Sequence, residues 1–85
     1  MTKEKTVRFS VEIRDLELWR ERKLEVELYL DKHALQDLLL QLSHLKNPGD
    51  HCHFMTPTWG GSELSEEPSV PSNTIADHLR ITLVE

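Results

Sequence analysis

The chain has 85 residues, a formal net charge of −5 and a single cysteine. That length makes one small domain, residues 1–85, which buries only about 60–65% of its unfolded surface and gains from binding a partner. With 38% hydrophobic and 29% charged residues, the composition suits a folded chain rather than a disordered one. No apolar run approaches the roughly 20 residues that span a bilayer, which argues against a membrane partner. Met1-Thr2-Lys3-Glu4-Lys5 has no apolar core of a secretion signal. A lone Cys52 has no internal disulfide partner, and the expected setting is a reducing cytoplasm.

The charge is unevenly placed. From Met1 to Lys46, nine basic residues balance nine acidic ones. From Asn47 onward, Arg80 alone faces Asp50, Glu63, Glu66, Glu67, Asp77 and Glu85. The second half therefore carries the whole net charge. This disfavours nucleic acid, which needs cations against its phosphates. It suits either a basic protein partner or an acidic surface that keeps the chain soluble.

Val7, Phe9, Val11 and Ile13 alternate with Arg8, Ser10 and Glu12, predicting a strand with one face buried and the polar face outward. Leu24, Val26, Leu28 and Leu30 repeat the pattern and predict a second strand. The connection from Arg14 to Lys23 has no Gly or Pro to mark a tight turn, and Trp19 within it reads as a cross-strand contact or a cap on the core.

Asp31 then suits a helix N-cap. Leu35, Leu38, Leu39, Leu42 and Leu45 follow at helical spacing and predict a core-facing stripe, with Asp37 and Gln41 facing away. Asn47-Pro48-Gly49-Asp50 stops the helix. His51 to Met55 predicts a third strand, with Cys52 and Phe54 on one face and His51, His53 and Met55 on the other. Residues 56–74 read as a long loop broken by Pro57, Pro68 and Pro71, and His78 to Val84 as the last strand.

The predicted order is ββαββ. A single helix must cover one face of a four-stranded, mainly antiparallel sheet, giving a two-layer α+β sandwich with the long loop between the last two strands.

Loops of this length in so small a domain are usually functional or disordered. Trp59 argues for order, because a large aromatic side chain finds something to pack against. Gly60 and Gly61 permit positive φ or close backbone approach, so they would structure the loop. Trp59 is expected to plug one end of the core. Otherwise it is an exposed anchor, rimmed by Glu63, Glu66 and Glu67 as the contact surface.

His51 and His53 share a strand face, and His78 joins them if the last two strands are neighbours. This is a polar cluster, and metal chemistry there would need further ligands such as Glu63 or Asp50. Cys52 points away from both neighbouring histidines, so no Cys–His nucleophile forms locally. Nothing along the chain gathers Ser62, His78 and Asp77 into a triad. The two glycines lack the lysine and following helix of a phosphate loop. No catalytic residue, metal or cofactor is expected.

The run His-x-His-Phe-Met from His51, then Trp59-Gly60-Gly61-x-Glu63-Leu64, then Asn73-x-Ile75-x-x-His78-Leu79-x-Ile81 resembles bacterial immunity protein family thirty-two, assigned to polymorphic toxin systems. The resemblance spans His51 to Leu83, under half the chain, and its most specific part is Trp-Gly-Gly-x-Glu-Leu. It implies a small, cytosolic, non-enzymatic protein that neutralises a cognate toxin by direct contact, and the acidic surface fits a basic toxin. Trp59, Gly60, Gly61, Glu63, His51, His53 and His78 match the pattern. The alternatives are a metal-binding or hydrolytic protein using His51, His53 and His78, and a self-associating domain that forms a homodimer through an edge strand.

Overall fold

The structure, a computed structural model, describes residues 8–14, 20–21 and 23–85. The readings of Val7 and Trp19 lie outside the described residues. Strands β1 (Phe9–Arg14) and β2 (Glu25–Leu30) form where period two is strongest. They pair antiparallel, with Phe9 opposite Leu30, Val11 opposite Leu28 and Ile13 opposite Val26. Paired residues point to one face of a sheet, so these six apolar side chains share a side.

Helix α1 (Lys32–Ser43) packs on that side. Its start is set by the Asp31 carboxylate, which accepts the Ala34 amide at 2.8 Å and the Arg8 amide at 2.7 Å. One side chain thus caps the helix, worth about 1 kcal/mol, and ties it to the beginning of β1. The helix ends at Ser43, before the Pro48-Gly49 stop. The turn beyond it is held by Asp50, whose carboxylate accepts the Lys46 and Asn47 amides, both at 2.9 Å.

The expected leucine stripe is rotated. Ala34 and Leu38 are the buried positions and Leu42 packs against them, while Leu35 and Leu39 stay exposed, Leu39 at 57%. The small Ala34 side chain faces the sheet, which places Leu35 and Leu39 on the flank of the helix.

The single four-stranded sheet is also corrected. Strands β3 (His51–Met55), β4 (Thr74–Ala76) and β5 (His78–Thr82) distribute over two sheets, ordered β2-β1-β4 and β3-β5. Every pairing is antiparallel. The run from Thr74 to Thr82 breaks at Asp77, whose carbonyl accepts the Thr56 amide at 3.0 Å and whose carboxylate accepts the Thr56 hydroxyl at 2.7 Å. Before the break the chain pairs with β1, after it with β3. The broad α+β class holds, with β4 beginning at the last residue of the predicted loop and running into the unassigned residues before the last strand.

Phe9, Val11, Ala34, Leu38, Phe54 and Leu64 make the core. The Phe9 and Phe54 rings meet edge to face at 5.2 Å, a geometry worth about 0.5–1.5 kcal/mol beyond the area buried.

The other face of β1 is not solvent-facing as the alternation predicts. Ser10 and Glu12 are both fully buried, beneath loop residues that cross the sheet. The Glu12 carboxylate accepts the Ser69 amide at 2.7 Å, the Val70 amide at 3.4 Å and the Asn73 side-chain amide at 2.8 Å, and the Ser10 hydroxyl also donates to it. Burial pushes this carboxyl up, but the hydrogen bonds from Ser10, Ser69, Asn73 and Val70 together outweigh it and hold the group at about 2.

Glu27 lies opposite Glu12 in the register, an arrangement of like charges that would repel. Asn73 bridges the two, donating to Glu27 at 3.1 Å as well. Its own carbonyl oxygen is buried without a partner among the described residues.

Candidate functional site

Past Met55 the chain enters a tight turn. Pro57–Trp59 form one turn of 3-10 helix, begun by a proline whose fixed φ suits that position. Gly60, at φ +89°, closes it by donating to the Pro57 carbonyl at 2.9 Å. This left-handed conformation favours glycine. Gly61 serves a different end, because it lies flat against β3. A Cβ there would stand 2.6 Å from both the Cβ and the carbonyl oxygen of Met55.

The acidic residues that follow do more than form a rim. Glu63 accepts the Met55 amide at 3.0 Å, and the Leu64 amide donates to the Met55 carbonyl at 3.1 Å. Glu66 accepts the Thr58 amide at 2.7 Å and the Thr58 hydroxyl at 2.6 Å. Two carboxylates expected to face a partner therefore fasten the loop to β3 and to its own first turn. The Glu67 carbonyl accepts from the Arg8 guanidinium, and its carboxylate projects from an exposed residue.

Trp59 does not plug the core. It is 58% exposed, and Leu64, at 3%, occupies the buried position instead. The turn fixes the Trp59 backbone, and its ring leans on His78 with centroids 5.5 Å apart.

The pairing of β3 with β5 brings the three histidines together. The His53 and His78 rings stack at 5.1 Å, with His53 Nδ1 and His78 Nε2 sharing a hydrogen bond at 2.8 Å. His51 meets His53 edge to face at 4.9 Å, and its Nδ1 donates to the Gly49 carbonyl at 3.0 Å. Among the described residues, no group of three or more His, Cys, Asp or Glu side chains is arranged to hold a metal ion.

Cys52 packs on the core side, where burial raises its thiol pKa. Asp77 is bonded to Thr56 and His78 to His53, so neither is turned toward Ser62 as a triad requires.

Burial, then the charges of His51, His78 and Arg80, lowers the His53 pKa below the usual histidine value. A lowered value means that the folded state resists protonation. The contribution is complete above pH 6.5 and is lost as the pH falls from there through the folded value. His53→Asn is therefore expected to flatten the loss of stability between neutral and mildly acidic pH. Urea melts at pH 7.5 and 5.5 check this; an unchanged difference between the two counts against it.

An open groove of about 890 Å³ runs between α1 and residues 57–67. Phe9, Ala34, Phe54 and Leu64 supply its apolar floor, and Asp37, Glu63, Glu66 and Glu67 its acidic sides, with Arg8 at one edge. The sequence pattern places Asp37 and Gln41 away from the leucine stripe, without marking them as groove-lining. The signal was available: they lie three and seven residues after Ala34, on the same helical face.

A fastened loop that carries an exposed aromatic and also lines an acidic groove, on an α+β scaffold, defines a small domain with a shaped surface. Among the described residues no helix is long and apolar enough to cross a membrane. The model of a protein family, Immunity protein 32, matches residues 25–80, and the chain belongs to that family. The match extends beyond the His51–Leu83 resemblance to take in β2 and α1. No curated protein and no solved structure matches the chain.

Proposed function

We propose that this protein is a non-enzymatic cytoplasmic immunity protein that neutralises a cognate toxin by direct contact through the 57–67 loop. The observation that carries the reading is Trp59, exposed on a loop held by Glu63, Glu66 and Gly61. An aromatic anchor on a preorganised loop binds without first losing its freedom, which is how a small interface gains affinity. Glu67 adds an exposed carboxylate on the same loop, in the half of the chain that holds all the net charge. That sign suits a basic toxin, whose approach an acidic surface speeds. The family supplies the general role.

The direct test is co-expression with the toxin encoded beside this gene, reading cell survival. Trp59→Ala is expected to weaken toxin binding about 30-fold while changing folding stability by less than about 1 kcal/mol, as suits an exposed side chain. Calorimetry and thermal melts read the two effects separately, and equal affinity for the variant removes Trp59 from the interface. Glu67→Lys is the cleaner charge test, since Glu63 and Glu66 also hold the loop. Its effect should shrink as salt rises.

Self-association has one observation in its favour. Among the described residues β2 pairs only with β1, and Val26 and Leu28 on it, with Leu24 just before it, are exposed. Sedimentation over a range of concentrations tests a β2-mediated dimer; a single monomer mass throughout discards it.

A further inference from the structure

We infer that the open edge of β2 is a second interaction surface, one that takes an extended partner segment alternating basic with apolar residues. It lies apart from the 57–67 loop and does not depend on that loop being the contact. Among the described residues β2 pairs only with β1. The backbone donors and acceptors on its far side are therefore placed to receive another strand. The apolar face of this edge is not core. Val26 and Leu28 point to the helix side with their partners Ile13 and Val11, yet they stay 53% and 44% exposed. Leu24 before them is exposed too. Helix α1 contacts β2, and its flank away from the groove-lining Asp37 and Gln41 carries the exposed Leu35 and Leu39. Large apolar side chains left exposed along one strand edge mark a protein-contact surface.

The opposite face of β2 selects the charge of the partner. It carries Glu25 and Glu27, with Glu12 of β1 beside them in the register. Arg14 of β1 reaches both, at 3.8 Å from Glu25 and 3.5 Å from Glu27. A neighbouring strand thus already sets a guanidinium on these carboxylates. Within β1 and β2, that one cation stands against three carboxylates. A strand added on the far side places Lys or Arg in the same relation, and its alternate apolar residues against Val26 and Leu28. A second copy is the poorer occupant. Antiparallel pairing of β2 with itself, apolar faces matched, sets Glu27 against Glu27 or Glu25 against Glu27 according to register, and like charges placed opposite destabilise a sheet.

The test uses the full chain and a short probe, acetyl-Lys-Val-Lys-Val-Lys-Val-amide. Beside it run the same composition in blocks, acetyl-Lys-Lys-Lys-Val-Val-Val-amide, and the alternating peptide with glutamate for lysine. Backbone amide shifts and hydrogen exchange are followed at low salt. With the alternating basic peptide, saturable shifts are expected to centre on residues 24–30, and exchange of β2 amides should slow. The block peptide should bind more weakly and the glutamate peptide not at all. Glu25→Lys should weaken binding of the basic peptide about fivefold. Val26→Thr keeps strand propensity but removes apolar contact, and should weaken it as well. Thermal melts establish that the variants fold. The comparison of the three peptides, made on the wild-type chain, decides the matter if they do not.

Shifts away from β2, equal binding of the glutamate peptide, or a folded Glu25→Lys protein that binds like wild type would overturn the proposal. So would sedimentation showing a dimer whose β2 amides resist exchange without peptide, since the edge then belongs to a second copy. Survival of toxin-expressing cells is scored in parallel. Peptide binding at β2 without protection sinks the toxin reading and leaves the edge standing. Protection by the wild type with no peptide response does the reverse.

Discussion

Glu12→Ala is expected to remove about 3–4 kcal/mol of folding stability, most of what a domain this size possesses. The substitution leaves a void at a fully buried position and strands the Ser69 and Val70 amides beneath the loop. Each stranded donor costs about 1–3 kcal/mol.

The same residue predicts the acid limb of the stability curve. Its carboxyl titrates at about 2 when folded against an ordinary value of 4.5. A depressed value stabilises the fold fully above pH 4.5, and that contribution, on the order of 3 kcal/mol, disappears as the pH falls toward 2. Glu12→Gln keeps the shape but not the charge. It should lower stability at neutral pH and make the curve shallower between pH 4.5 and 2. Urea midpoints at pH 7 and pH 3 measure both effects. The His53 effect begins near pH 6.5, so the two groups act in separate windows. A Glu12→Gln protein that keeps the wild-type acid limb would show that another group sets it.

Gly61→Ala should be the most damaging change in the loop, at about 3 kcal/mol, and should abolish protection against a toxin. The added methyl meets the Met55 carbonyl oxygen and Cβ at 2.6 Å. Neither is the end of a flexible side chain, so the loop must lift from β3. Lifting it breaks the bond from the Met55 amide to Glu63 and withdraws Leu64 from the core. Gly60→Ala is the control: its φ of +89° strains an alanine, but open space surrounds the new Cβ. That change should cost only about 1 kcal/mol. Thermal melts rank the pair, and hydrogen exchange at Met55 reports the lifting. Equal melting temperatures for the two variants would contradict the close-packing account.

The parts of the fold legible in sequence are those with a period or a cap. Alternation marked β1, β2, β3 and β5, and Asp31 marked the start of α1. Strand β4 was missed because three residues, Thr74–Ala76, are too few to show a period. Its strand character comes from lying beside β1.

The double burial of β1 was hidden for another reason. Serine and glutamate at alternate positions look the same whether they face water or a layer of backbone amides. Likewise, Glu63 and Glu66 read as a free rim because their partners, Met55 and Thr58, each lie eight residues away. Sequence spacing says little about a loop that closes on itself. For Trp59, residue type alone weighed core against contact, and the seat taken by Leu64 removes only the core alternative.

The central strand β1 lies outside the 25–80 stretch that matches the family. Its partners β2 and β4 lie inside that stretch. The unit that would have to be moved to transplant this loop onto another scaffold is therefore discontinuous. A graft of residues 57–73 alone would arrive without Ser10 and Glu12, and its distal half would have nothing to close upon. A trimmed fragment beginning at β2 would leave β2 and β4 with an empty lane between them. Exchange of specificity between such proteins is expected to require the early strand and the late loop to travel together.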